Sequence, residues 1–164
     1  MYTACMFLDI ATGIFISLLA AYSFDTPLTY PLLALAIISA LLPDIDIFWY
    51  GIKRLLGSEQ HDHRSFTHYP LLYIPVIGLV YIFFGGMPAV VLALGVYLHL
   101  LHDTIGMGAG IAWLAPFSYR KYQLWPVTEG DGHWIRNYYL RPCLNAYIEY
   151  GALLAALVCL YLFW

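Results

Sequence analysis

Charged residues are scarce in this chain, and their scarcity excludes an ordinary soluble domain. Asp, Glu, Lys and Arg make up 10% of the 164 residues, whereas 62% are apolar. A soluble domain carries roughly 25% charged residues, because its whole surface faces water. So few charges cannot cover a globular surface, and much of this surface must face lipid. The length is that of one domain, and we expect residues 1–164 to form a single integral membrane domain.

Cysteine and basic residues are too few or too scattered for several other classes of protein. Cys5, Cys143 and Cys159 show no CxxC spacing, which argues against a disulfide framework and against a thiolate zinc site. The seven Lys and Arg residues form no run that could follow a phosphate backbone, so nucleic-acid binding is not expected. No Lys or Arg precedes the first apolar stretch, which therefore predicts a retained anchor and not a cleavable signal peptide.

Five stretches are long and apolar enough to cross a bilayer, and they predict an all-α fold, a multispanning transmembrane helical bundle. They cover residues 4–23, 31–50, 69–85, 88–106 and 146–164. The segment between the fourth and fifth stretches is rich in Gly, Trp, Tyr and Pro. Its aromatic side chains alternate with basic ones, which is typical of a segment that lies at the level of the lipid headgroups.

The distribution of positive charge predicts the orientation in the membrane. All seven Lys and Arg residues fall in the loops 51–68 and 107–145, while the loops 24–30 and 85–88 contain none. Cytoplasmic loops carry an excess of Lys and Arg. We therefore expect a multi-pass protein of the inner (plasma) membrane with a cytoplasmic N-terminus and a C-terminus outside.

Ionisable side chains within or beside the predicted spans are functional candidates, because each costs about 2.5–3.5 kcal/mol to insert. With this orientation they all fall at the cytoplasmic ends of four spans. Imidazole nitrogen and carboxylate oxygen together suit zinc or manganese better than calcium, and they predict a divalent metal site. The candidates are Asp9, Asp44, Asp46, His63, His68, His99, His102 and Asp103.

The spacing of these residues sharpens the metal hypothesis. His99 and Asp103 stand four residues apart, so a helix presents both on one face, about 6 Å apart, where they can bind one ion. His102 can join them or orient a ligand. Pro43 favours an irregular end of the second span, which can aim the carboxylate of Asp44 toward the same ion. Asp46 is the weaker candidate of this pair and can instead orient a ligand.

Each candidate also has an ordinary structural explanation. A single histidine in an apolar run is more often a hydrogen-bonded core residue, although Asp103 four residues after His99 favours a ligand. Asp44 can simply cap the next segment. Arg64 can reflect the positive-inside bias alone, although an arginine beside a metal site also suits a phosphate group.

Four short motifs follow one another along the chain. They are Leu-Pro-Asp-Ile-Asp at 42–46, His-Arg-Ser-Phe-Thr-His at 63–68, His-Leu-Leu-His-Asp-Thr at 99–104, and Gly-Ile at 110–111 followed by Pro-Phe-Ser at 116–118. Their order and spacing resemble the YdjM-like family of inner-membrane proteins, which are predicted metal-dependent hydrolases. That family is in turn distantly similar to zinc-dependent phospholipases C and to single-strand-specific zinc nucleases.

The resemblance implies a catalytic site with one or two divalent ions, zinc in the first place and manganese as the alternative. Carried over by position, its ligands would be Asp44, His63, His99 and Asp103. The family's early histidine is replaced here by Asp9, four residues before Gly13. Asp9 is therefore expected to hold a second ion or a water.

The leading hypothesis is a membrane-embedded hydrolase at the cytoplasmic face, acting on a phosphoester such as a phospholipid or an isoprenoid phosphate. In this hypothesis the membrane lipid surrounds the protein and also supplies the substrate. Arg64 pairs with the phosphate, and His68 and His102 orient ligands or transfer a proton. The alternative is a membrane protein that is not an enzyme and has a structural or transport metal site. A third reading is a polar packing network without metal.

Overall fold

The computed structural model describes residues 6–46, 66–105, 110–124 and 144–164, which form an all-helical bundle. Within these ranges five α-helices follow one another, α1 to α5. Their bounds are α1 Met6–Ser23, α2 Tyr30–Leu41, α3 Pro70–Phe84, α4 Gly86–Ile105 and α5 Leu144–Phe163. The all-α prediction is confirmed, and each helix coincides with one of the predicted apolar stretches. Residues 47–50 of the predicted second span lie outside the described residues.

Three of the described helices are long and apolar enough to cross a membrane, by length and composition. They are Met6–Ser23, Gly86–Ile105 and Ala146–Phe163. The apolar segments Tyr30–Ile45 and Pro70–Phe84 are shorter. A helix rises 1.5 Å per residue, so the 15 residues of α3 cover about 22 Å of a hydrocarbon core that is about 30 Å thick.

Local sequence explains where the helices begin and end. Thr29 caps α2, where its hydroxyl accepts a bond from the Leu32 amide at 3.4 Å. Gly85, with φ of 88°, separates α3 from α4 and adopts a backbone conformation that favours glycine. Proline occupies the first turn of both α2 and α3, where a missing amide hydrogen costs nothing.

The helices pack so that α1 contacts α2, α4 and α5, while α4 contacts α2 and α3 as well. Small residues allow two of these contacts to be very close. A Cβ at Gly13 would lie 2.6 Å from the Ile37 Cα, and one at Gly95 would lie 2.6 Å from the Ser39 Cβ. The second contact joins α2 to α4 one turn before His99, and it brings the following ends of both helices together.

Candidate metal centre

Ionisable side chains from several helices meet at one end of the bundle, here called the site end. It contains the start of α1, the end of α2, the turn before α3, the end of α4 and the start of α5. Six of these side chains belong to residues whose exposed fraction is 8% or less, although charged groups are rarely buried without a partner. They are Asp9, Asp44, Asp46, His68, His99 and Asp103.

Three of these residues form a group able to hold a metal ion. Asp44, His68 and His99 each offer one ligand atom, and the three atoms lie within 4.8 Å of one another. Asp44 Oδ1 is 3.4 Å from His68 Nε2 and 3.6 Å from His99 Nε2. Ligands bonded to a tetrahedral zinc ion at about 2.0–2.1 Å are about 3.4 Å apart. Both oxygen–nitrogen separations are therefore close to those of ligands that share one ion.

Asp103 borders this group. Its Oδ2 lies 3.4 Å from His68 Nε2 and 3.7 Å from His99 Nε2. The carboxylate therefore faces both imidazoles, as Asp44 does, without belonging to the set of mutually close ligand atoms. The four-residue spacing between His99 and Asp103 places both on one face of α4, as the sequence predicts.

Buried polar atoms of the group support a cation as its natural occupant. Asp44 Oδ2 and His99 Nε2 are buried and make no hydrogen bond to any residue in the described ranges. A buried polar atom without a hydrogen bond costs about 1–3 kcal/mol, and a buried carboxylate costs more. A divalent cation between these donors would offset that cost. The oxygen and nitrogen donors thus fit the predicted divalent metal, while the identity of the metal stays a prediction.

Each imidazole of the group has a second polar contact behind it. His68 turns Nε2 toward Asp44, while its Nδ1 lies 3.1 Å from Thr67 Oγ1 and 3.7 Å from Asp46 Oδ2. His99 turns Nε2 toward Asp44, while its Nδ1 lies 3.1 Å from Asp9 Oδ2. A contact of this kind at the far nitrogen orients the ring of a metal-ligating histidine and sets its tautomer.

The turn that carries His68 is fixed by two tyrosines. Residues Phe66–His68 form a 3₁₀ turn directly before α3. The Tyr73 hydroxyl donates to the Thr67 carbonyl at 2.6 Å, and the Tyr97 hydroxyl donates to the Pro70 carbonyl at 3.1 Å. Because Tyr97 belongs to α4, this second bond holds the start of α3, two residues after His68, against the helix that carries His99.

The end of α2 is irregular, as Pro43 predicts. Residues Leu42–Ile45 form a 3₁₀ turn after α2, and Pro43 and Asp44 are buried in it. The tighter turn changes the direction in which successive side chains leave the backbone. It presents Asp44 to the two histidines and leaves Asp46 behind the His68 ring.

The remaining predicted site residues fall into two groups. His63 and Arg64 lie outside the described residues. Asp9 and His102 lie on the far side of His99, where Asp9 Oδ1 is 3.1 Å from His102 Nδ1. His68, predicted to orient a ligand or transfer a proton, is one of the three residues of the group, and its Nε2 faces Asp44. The roles predicted for all of these residues stay predictions.

Sequence reasoning missed one buried acid at the site end. Glu149 lies in the first turns of α5 and is 1% exposed. An acidic residue inside an apolar span is the same signal that selected Asp9 in α1. That signal could therefore have identified Glu149 from the sequence.

The described part of the predicted interfacial segment folds against the end of α4. Ile111 and Tyr122 exchange backbone hydrogen bonds of 3.0 and 2.9 Å. The Trp113 indole donates to Thr104 Oγ1 at 3.0 Å, and the Leu124 amide donates to the Thr104 carbonyl at 2.9 Å. These bonds fix residues 110–124 beside Asp103. The exposed side chains of this segment include Leu114, Phe117, Tyr119, Arg120, Lys121 and Leu124.

Comparison with known proteins identifies the family. A family model described as YdjM inner membrane protein matches residues 7–164. The chain belongs to the YdjM inner membrane protein family. The family and the apolar helices together support a location in the inner membrane. No curated protein and no solved structure is significantly similar to the chain.

Proposed function

We propose that the chain is a metal-dependent hydrolase of the inner membrane that cleaves a phosphoester bond at the cytoplasmic surface. The observation that carries the proposal is the buried group Asp44, His68 and His99, whose ligand atoms lie within 4.8 Å of one another. A divalent ion held by this group would lower the pKa of water toward about 7 and polarise a phosphoryl oxygen. Zinc suits two imidazoles and a carboxylate best.

The number of donors favours a catalytic site over a structural one. Structural zinc sites have four protein ligands, whereas catalytic sites have three and keep a position for water or substrate. Asp44, His68 and His99 supply three donors. Asp103 borders the group and is buried, with 5% of its surface exposed. We assign its carboxylate the role of accepting a proton from the attacking water.

Two further predicted roles belong to this proposal. His102 has 20% of its side chain exposed and is held by Asp9, so it can exchange protons with solvent and with a leaving group. Arg64 is proposed to pair with the phosphate, on the strength of the sequence pattern alone. A second ion near Asp9 is not part of the proposal, because both Asp9 oxygens face histidine Nδ1 atoms.

The location of the group supports a lipid phosphoester as the substrate. The site end carries residues 110–124, whose exposed aromatic and aliphatic side chains lie beside Arg120 and Lys121. Side chains of this mixture are typical of the headgroup level of a membrane. A phospholipid or an isoprenoid phosphate carries its phosphoester at the same level. The positive-inside pattern supports a cytoplasmic position for this end.

A transport site is less well supported by the described residues. A transported cation needs polar groups that continue toward the other membrane face. The hydroxyls of Ser17 and Ser39 donate instead to carbonyls of their own helices, Ile14 and Leu35, both at 2.7 Å. The buried part of α4 before His99 is apolar and includes Val91, Leu92 and Val96.

The test combines metal analysis with an activity assay on protein purified in detergent. We expect about one tightly held divalent ion per chain. We also expect metal-dependent release of phosphate or of a phosphorylated headgroup from mixed micelles that contain an anionic phospholipid or an isoprenoid diphosphate. A soluble aryl phosphate is the control for hydrolysis that does not require lipid recognition.

Two results would contradict the proposal. Less than one tightly held divalent ion per chain would exclude the metal site and leave only a polar packing network. A full complement of metal without hydrolysis of any of these phosphoesters would favour a structural site.

A further inference from the structure

Asp9 contacts two histidines of α4 with its two carboxylate oxygens. It lies in the first turn of α1 and is 1% exposed. Oδ2 is 3.1 Å from His99 Nδ1, and Oδ1 is 3.1 Å from His102 Nδ1. The contact between Asp9 Oδ1 and His102 Nδ1 has the geometry of a hydrogen bond. The contact between Asp9 Oδ2 and His99 Nδ1 is within the distance of an ion pair. One carboxylate thus joins α1 to two consecutive turns of α4.

The chemistry of the two side chains decides what these contacts do. An ionised carboxylate can only accept hydrogen bonds, so it favours a proton on the Nδ1 atom of each imidazole that faces it. A neutral histidine with its proton on Nδ1 has a free lone pair on Nε2. In His99 that Nε2 is the atom that faces Asp44 and Asp103.

We propose that Asp9 is a positioning residue that fixes the tautomer and the ring orientation of His99, and that His102 holds Asp9 in place by taking its other oxygen. This inference rests on the proposed metal site. It assigns Asp9 a role other than that of a metal ligand. A ligand would present an oxygen to the group formed by Asp44, His68 and His99. Both oxygens of Asp9 instead face the Nδ1 side of the two rings of α4.

The two imidazoles of the group differ in this respect. His68 has the Thr67 hydroxyl at 3.1 Å from Nδ1, and a hydroxyl can donate or accept, while the Asp46 carboxylate lies farther from this atom, at 3.7 Å. His99 has a carboxylate at the same distance, which can only accept. We therefore expect the tautomer of His99 to depend on Asp9 of α1, a helix that carries no residue of the group.

Replacement of Asp9 by asparagine separates positioning from packing. Asparagine keeps the shape of the side chain, but it offers one accepting oxygen and one donating amide. It can serve the Nδ1 proton of one histidine only, and the other histidine must move its proton to Nε2. If His99 is the one that changes, its Nε2 can no longer bind an ion.

The expected effect of Asp9→Asn is a 10- to 100-fold loss of metal affinity, the usual consequence of removing a partner behind a ligating histidine. His102→Ala should restore most of that loss in the Asp9→Asn background, because the single oxygen of Asn can then turn to His99. Ser17→Ala is the matched control, since Ser17 is buried on the same helix and donates only to the Ile14 carbonyl.

The experiment titrates detergent-purified wild type, Asp9→Asn, Asp9→Asn with His102→Ala, and Ser17→Ala with Zn²⁺ against a chelator of known affinity. The same four proteins, labelled with ¹⁵N-histidine and freed of metal, are compared by NMR, and His99→Gln identifies the His99 signals. In metal-free wild type we expect a proton on His99 Nδ1 with the downfield shift of a hydrogen bond to a carboxylate. Asp9→Asn should remove that signal, and the added His102→Ala should restore an Nδ1 proton.

The outcomes separate this inference from the proposed function. A wild-type protein that binds no Zn²⁺ would end the metal proposal, yet the metal-free spectra would still show whether Asp9 fixes His99. A wild-type His99 without a proton on Nδ1 would overturn the inference, even if Asp9→Asn failed to fold. An affinity loss that His102→Ala does not reduce, or that Ser17→Ala reproduces, would also overturn it, because a packing defect explains both.

Discussion

The two ends of the bundle differ in the side chains that they bury. Exposed aromatic residues occur at both ends, but within the described residues buried acids and histidines occur only at the site end. The opposite end contains the α1–α2 and α3–α4 turns and is here called the aromatic end. Tyr22 and Phe84 are 87% and 72% exposed there, and the Tyr30 ring packs on Trp164 with centroids 4.6 Å apart. Exposed aromatic rings are usual at a membrane–water interface. The membrane thus explains the exposed aromatic residues of both ends, but it does not explain the acids and histidines that are buried at the site end.

The cost of burial is what makes this difference informative. An exposed tyrosine at a lipid interface needs no partner, because its ring meets lipid and its hydroxyl meets water. A buried carboxylate needs a hydrogen bond or a counter-charge. Asp25, at the aromatic end, has no such need, because it is exposed to water at a turn, with φ of 49°. Asp9 and Asp44 are buried, so their cost must be offset within the bundle.

The largest expected effect comes from removing a donor of the central group. We expect His99→Ala and His68→Ala to lose tightly held metal completely, since two remaining donors are too few to retain an ion. Elemental analysis of the purified variants measures this loss. Asp25→Asn at the aromatic end is the control and should retain the wild-type metal content. Full occupancy in both histidine variants would show that the ion, if present, lies elsewhere.

A smaller effect is expected from Asp103→Asn, which keeps the shape of the side chain but removes a base. If Asp103 accepts the proton of the attacking water, hydrolysis should fall by about 10²- to 10⁴-fold while the metal content stays near wild type. Initial rates and metal content are measured on the same preparation. Loss of the ion together with the activity would instead make Asp103 a ligand, as the family resemblance implies.

A still smaller effect is expected from the close contact that joins α2 and α4. In Gly95→Ala the new methyl group would meet the Ser39 Cβ, and overpacking of this kind costs about 1–3 kcal/mol. We expect a lower midpoint of thermal unfolding in detergent and weaker metal retention. Gly78→Ala is the matched control, because a Cβ at Gly78 meets nothing within 4 Å. Equal midpoints in the two variants would argue against a tight α2–α4 contact.

The last prediction leaves the protein unchanged and asks which end faces the cytoplasm. A reporter fused to the C-terminus, beside the aromatic end, should be inactive if it requires the cytoplasm and active if it requires the outside. The expected orientation follows from the positive-inside rule. A C-terminal reporter active in the cytoplasm would invert the bundle and place the site end outside.

The sequence predicted the helices well because lipid imposes a simple rule on composition. Segments that cross a membrane must be long and apolar, and the turn at Gly85 lies between two such segments. It also predicted that Asp44, His99 and Asp103 would lie together, with His63, which is outside the described residues. That prediction needed only helical spacing and the alternation of spans, which place the end of α2 and the end of α4 at one membrane face.

The roles of individual residues at the site end were harder to predict. The role predicted for His68, to orient a ligand or transfer a proton, stays a prediction, and its position beside Asp44 and His99 depends on bonds from Tyr73 to Thr67 and from Tyr97 to Pro70. Asp9 was expected to hold a second ion or a water, which stays a prediction, and in the structure its oxygens face the Nδ1 atoms of His99 and His102. Which atom of a ring faces a ligand depends on neighbours that are distant in the sequence.

The sequence by itself determined that this is a helical membrane protein with ionisable side chains gathered at one end, because hydrophobic length and charge are properties of a segment read alone. Only the tertiary structure decided which of those side chains share a centre and which lie behind it. A difference of a few ångströms separates a metal ligand from the residue that orients it, and the packing of α1, α2 and α4 sets that distance.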